Sequence, residues 1–137
     1  VTMHSRSLYI ARALLLSGGL VVLLGVITTG SGPHSGDSKA EARFPLDPAL
    51  AARIHALAVC LLIVTVWFAY SYVRSQHGNV RSIVAVAALI AIQATVGIIQ
   101  YVAGLPATLV GIHVALAATL WAFINIAAVR LMYSVSE

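Results

Sequence analysis

The sequence predicts an all-α protein, a transmembrane four-helix bundle made of two repeated helical hairpins, and three observations carry that prediction. The 137 residues are 61% hydrophobic and 9% charged, with a mean hydropathy of +0.98, well above the balance of a globular domain in water. Four apolar segments reach the about 20 residues that a helix needs to cross a hydrocarbon core of about 30 Å. Two of them begin with the same pattern, Pro-Ala, four variable residues, then Ile-His, at residues 48–55 and 106–113. The composition excludes a cytosolic globular domain, and it excludes disorder, which requires low hydrophobicity. The net charge of +4 comes from eight basic residues scattered between apolar runs, so it reads as membrane topology and not as a nucleic-acid surface.

The first span is expected over 8–29, with Arg12 reaching back to the interface. Its length, and the lack of an Ala-x-Ala-like cleavage site after it, set it apart from a signal peptide. The second span is expected over 49–73 and carries Arg53 and His55 near its start. Between Arg81 and Arg130 there is no Asp, Glu, Lys or Arg, a stretch too long for one crossing. The Gly104-Leu105-Pro106 break divides it into a third span over 82–103 and a fourth over 107–129. Arg6, Arg12, Arg74, Arg81 and Arg130 fall on one side of the four spans, and Lys39, Arg43 and Arg53 on the other. That bias predicts a multi-pass protein of the cell membrane with cytoplasmic termini. It places the Gly/Ser/Pro-rich loop 30–47, with Asp37, Glu41 and Asp47, on the extracytoplasmic side. Residues 74–81 read as a short basic cytoplasmic turn. Trp67, Tyr70, Tyr72 and Tyr133 fit an interfacial aromatic belt.

The repeated pattern fixes depth. Each proline suits a first helical turn, where its missing N–H costs nothing, and each histidine follows seven residues later, about 10 Å further along at 1.5 Å per residue. His55 and His113 therefore share one level in the outer half of the bundle. An ionisable residue within a membrane segment is costly and usually faces the bundle interior. A single histidine there is accounted for by a hydrogen bond across a helix interface, but two in one register point to a shared ligand.

Zinc needs three or four protein ligands, and no partners are in reach. Cys60 is the sole cysteine, lies about 140° around the helix from His55, and reads as a small buried apolar residue. Haem asks for only two axial ligands, because its ring supplies the other four. With His55 and His113 as both axial ligands the iron has no open position and moves electrons. Ala51, Ala52, Ala56, Ala58, Gly111, Ala115, Ala117 and Ala118 surround these positions in sequence and suit either a flat macrocycle or close helix packing. Haem propionates would point toward the external loop, where Arg53, Lys39, Arg43 and His34 are available. Arg53 lies about 200° around the helix from His55, so lipid phosphate or a loop carboxylate is its expected contact. Gln93, Gly97 and Gln100 or Tyr101 share one face of the third span, which is expected to point inward. His34 in the first loop, and His4 and His77 among basic residues, are expected to be solvated.

These residues resemble the C-terminal half of the haem A synthase family. The resemblance rests on Thr28-Thr29-Gly30-Ser31-Gly32-Pro33-His34-Ser35-Gly36-Asp37, on Ile54-His55-Ala56, on Gln93-x-x-x-Gly97-x-x-Gln100-Tyr101, and on Leu105-Pro106-x-x-Leu109-Val110-x-Ile112-His113. It implies that His55 and His113 are the axial ligands of a haem b. It further implies an oxidoreductase that converts the C8 methyl of haem O to a formyl group in haem A biosynthesis. In that family two four-helix halves share one chain, and the N-terminal half brings another histidine pair and a glutamate for the oxidation. These 137 residues hold only four spans, so the substrate haem O belongs to the other half and no catalytic residue is assigned here. The implied partners are membrane lipid, an electron donor, and an N-terminal half or second copy, with no nucleic acid. The competing readings are a stand-alone bis-histidine cytochrome b and a structural bundle without cofactor.

Overall fold

In the computed structural model, which describes residues 5–32 and 44–133, the chain forms α1 (Ser5–Ser31), α2 (Pro48–Ser75), α3 (Arg81–Val102) and α4 (Ala107–Tyr133). The fold is all-helical, and all four helices are long and apolar enough to cross a membrane. The observed ends lie within a few residues of the expected spans, with extra turns added at the polar ends. His4, His34, Asp37, Lys39, Glu41 and Arg43 lie outside the described residues.

Local chemistry sets the ends. Asp47 caps α2: its carboxylate accepts from the Leu50 N–H at 3.0 Å, its carbonyl accepts from Ala51 N at 3.0 Å, and Pro48 occupies the first turn. At the far end of α2 the chain turns left-handed at His77, φ 55°. Gly78 N then donates to Val73 O at 2.9 Å and His77 N to Arg74 O at 3.1 Å, the paired bonds that close a helix C-terminus. The same device ends α3. Gly104 and Leu105 take φ 79° and 61°, with Leu105 N donating to Gln100 O at 2.7 Å and Gly104 N to Tyr101 O at 3.2 Å. Pro106 then starts α4, its carbonyl accepting from Val110 N at 3.1 Å. The two prolines thus sit one position apart relative to their helices: Pro48 lies inside the first turn of α2, and Pro106 precedes α4.

The helices form a ring in which each is flanked by its sequence neighbours and α1 also packs against α4. Packing is most extensive between α1 and α2 and least between α2 and α3. Gly18 seats α4 against α1: a Cβ there would come within 2.8 Å of Ile124 Cδ1 and 3.4 Å of Trp121. The closed core gathers at the end of the bundle that holds Ser5 and Tyr133. It comprises Ala11, Leu14 and Val21 of α1, Leu62, Val66 and Ala69 of α2, Ile83, Val86 and Ile90 of α3, and Leu120, Ile124, Ala127 and Leu131 of α4. Toward the end bearing the α1–α2 and α3–α4 connections, the loop end, no α3 residue after Gln93 and no α4 residue before Leu120 is buried. Large apolar side chains face outward along every helix, among them Leu16 (74% exposed), Leu57 (70%), Val102 (80%) and Val129 (51%), the surface expected of a bundle solvated by lipid.

Some expectations need correction. Cys60 is exposed, because it lies two positions, about 200°, from the buried Ala58. Tyr72 turns inward and buries its hydroxyl without a partner among the described residues. Tyr70 is half-buried and accepts from Arg74 Nη1 at 3.2 Å. Trp67 is 60% exposed and meets Phe68 edge to face.

A non-glycine residue at positive φ costs about 1–2 kcal/mol, so His77→Gly is expected to stabilise the bundle by about 1 kcal/mol. Thermal unfolding in detergent, read by loss of far-UV helix signal, should show a raised midpoint. An unchanged or lowered midpoint would mean that the histidine side chain contributes to the turn.

Candidate functional site

His55 enters the bundle on α2 and His113 on α4, the two helices placed diagonally in the ring. Both are half-buried, and they lie near enough for a charge on one to act on the other. Counted from the capping residues, His55 is eight positions into α2 from Asp47 and His113 seven into α4 from Pro106. Relative to their helix starts the two thus stand one residue apart. Among the described residues no group of three or more His, Cys, Asp or Glu comes together, so the histidines form a pair and not part of a larger donor cluster.

Each imidazole is seated against a glycine of the preceding helix. A Cβ on Gly25 of α1 would fall 3.2 Å from His55 Cε1 and 3.7 Å from Nδ1. A Cβ on Gly97 of α3 would fall 3.1 Å from His113 Cε1 and 3.7 Å from Nδ1. Real Cβ contacts are rarely so tight, so in both hairpins the bare backbone makes room for the ring. In each seat Nδ1 is sealed from solvent and finds no partner of hydrogen-bond geometry among the described residues.

Two side-chain hydrogen bonds tie the hairpins beside these seats. Thr28 Oγ1 donates to Leu24 O at 2.7 Å and more weakly to Ala51 O on α2 at 3.2 Å. Gln93 Nε2 donates to the His113 carbonyl on α4 at 3.0 Å. The inward face expected on α3 is present in Gln93, 9% exposed, in half-buried Gly97, and in Gln100, whose Oε1 is buried without a partner. Tyr101 departs from it and is 59% exposed, one position or about 100° beyond Gln100. Of the small residues flanking the histidines, Ala51 and Ala58 are buried, but Ala56, Gly111, Ala115 and Ala118 are exposed, and nothing lies within 4 Å of a Cβ on Gly111. The small residues that shape the seats are instead Gly25 and Gly97, on the opposite helix of each hairpin. Gly25 carried no mark in the sequence beyond its place one turn before Thr28-Thr29, as Gly97 stands one turn before Gln100-Tyr101. Arg53 is exposed and makes no ion pair with a described residue.

A cavity of about 70 Å³ lies one helical turn beyond the histidines, toward the loops. It is lined in matched fashion by Thr28, Thr29 and Ala52 of the first hairpin and Gln100, Tyr101 and Val110 of the second. Pockets for cofactor-sized ligands run to about 300–1,000 Å³, so a macrocycle would need the loop end to widen. The α2–α3 seam, the least extensively packed side of the ring, is where widening disturbs fewest contacts. The donor set itself suits haem: two imidazoles from diagonal helices, each with Cε1 turned against a glycine of the preceding helix.

No protein-family model, curated protein or solved structure matches the chain.

The seats predict a graded response to side-chain size. Overpacking costs typically about 1–3 kcal/mol, so Gly25→Leu and Gly97→Leu should each lower the thermal midpoint in detergent. Gly19→Ala meets only Trp121, at 3.6 Å, and should leave the midpoint unchanged or raise it through the about 0.5–1 kcal/mol that alanine gains over glycine within a helix. Equal effects at all three positions would contradict the seating.

Proposed function

We propose that this chain is the haem-b-binding half of a haem A synthase, an integral protein of the cell membrane with cytoplasmic termini and the 30–47 loop outside. In this reading His55 and His113 are the axial ligands, and the bound haem relays electrons for oxidation of the haem O C8 methyl group to formyl in the other half. The observation that carries the reading is the pair of glycine-backed imidazole seats, Gly25 with His55 and Gly97 with His113, at matching places in two hairpins. The motif strings at residues 28–37, 93–101 and 105–113 direct that pair toward this family and not toward bis-histidine cytochromes in general.

The roles of the chain follow from its geometry. Gly25 and Gly97 let each ring approach the neighbouring helix by one edge, which limits its rotation and leaves Nε2 for the iron. The closed core at the opposite end holds the four helices together while the loop end opens along α2 and α3. When bound between two imidazoles, haem b supplies one-electron transfer with no open coordination position for oxygen or substrate. Oxidation of the methyl group therefore belongs to the other half, and the electron donor must reach this haem through its exposed edge or the lipid-facing helices.

Purified in detergent and supplied with haem b, the chain should give a low-spin bis-imidazole reduced-minus-oxidised spectrum, and His55→Ala and His113→Ala should each abolish it. A wild-type chain that stays colourless would overturn the reading and leave a cofactor-free bundle. A contiguous upstream frame encoding four further spans with another histidine pair separates a synthase half from a stand-alone electron carrier.

A further inference from the structure

The two seats differ in the residue that lies beneath the glycine. In a helix the residue four positions before a notch lies directly beneath it. In α1 that residue is the apolar Val21. In α3 the same place belongs to Gln93. Its side chain is 9% exposed and its orientation is fixed, because Nε2 donates to the His113 carbonyl at 3.0 Å. With the nitrogen end committed, Oε1 is the free end of the amide, and it is buried with no partner. His113 Nδ1, seated on Gly97 one turn along α3, is also buried with no partner. The same glutamine that ties α3 to the His113 main chain thus carries a sealed acceptor, and the His113 ring a sealed nitrogen that can carry a proton, each unpaired among the described residues. Leaving such a group unpaired costs about 1–3 kcal/mol.

We propose that Gln93 is the positioning residue of His113: its Oε1 accepts the Nδ1–H, directly or through one water, and so leaves Nε2 as the lone-pair nitrogen. The inference rests on the haem-ligand reading and deepens it. A ligating histidine commonly donates its other ring N–H to a carbonyl, which fixes the tautomer and raises ligand basicity. The residue at this place beneath His55 is an apolar valine and that beneath His113 a glutamine, so only the second hairpin offers a side-chain acceptor that substitution can remove. A more basic imidazole favours the ferric state, so loss of this acceptor raises the reduction potential.

The test uses the full chain loaded with haem b. Gln93→Leu should raise the midpoint potential, shift the low-spin ferric EPR signal, and weaken haem retention about tenfold, the lower end of the usual outer-shell effect. Gln93→Glu, whose carboxylate is a stronger acceptor although it loses the donor to the His113 carbonyl, should move the potential in the opposite direction from Gln93→Leu, below wild type. Val21→Leu, an apolar exchange at the matching place in α1, should leave the potential unchanged. If wild type binds haem through both histidines but Gln93→Leu matches it in potential and EPR signal, Gln93 is a helix tie only and the inference fails. The same holds if Gln93→Glu behaves as Gln93→Leu does. Failure of the underlying reading is distinct, because the wild-type chain itself would then show no bis-imidazole signal.

Discussion

The close approach of each imidazole to a bare stretch of helix backbone is the constraint from which the loop end of the bundle follows. A histidine in a membrane span carries two ring nitrogens that hydrocarbon cannot satisfy, so it must be turned against protein. With any larger residue in place of Gly25 or Gly97, a side chain would occupy the space that Cε1 and Nδ1 now fill, and the ring would be pushed outward. Glycine costs a helix about 0.5–1 kcal/mol relative to alanine. Its presence at the two matching places, each against a histidine, shows packing overriding propensity.

That constraint divides the molecule along its length. At the terminal end Leu14, Leu62, Val86 and Ile124 are almost completely buried and interlock all four helices. At the loop end the buried residues among those described are Gly30 and Ser31 at the end of α1, Gly32 just beyond it and Ala51 of α2, and α4 from Ala107 to Thr119 is at most half-buried. A bundle closed at both ends would be more stable but would hold nothing between α2 and α4. Stability is concentrated where no chemistry is proposed, and the histidines stand where the helices are least committed to one another. Weak packing between α2 and α3 extends the same division around the ring.

The architecture was legible in the sequence because the bilayer imposes a length that apolar runs report directly. The Gly104-Leu105-Pro106 break was equally plain, as left-handed backbone at Gly104 and a proline start are rules of local chemistry. The inward placing of Gln93, Gly97 and Gln100 followed from helical spacing. Pairings between helices were not legible. Gly25 meets His55 across a long loop and Gly97 meets His113 across a tight turn, so no fixed sequence separation relates the seats. Cys60 was misplaced for another reason. In a lipid-solvated helix both faces are apolar, and hydrophobicity no longer distinguishes inside from outside.

Where the two hairpins depart from one another is as informative as where they agree. Asp47 caps α2 with its carboxylate while Pro106 starts α4 with its carbonyl alone, which offsets the histidines by one residue. Under each seat the first hairpin presents an apolar Val21 and the second a polar Gln93. Packing alone gives no reason for that exchange, since valine already fills the position in α1 and the amide leaves Oε1 buried and unpaired. A polar group tolerated at that cost, one turn along α3 from Gly97, is the side-chain difference between the two seats.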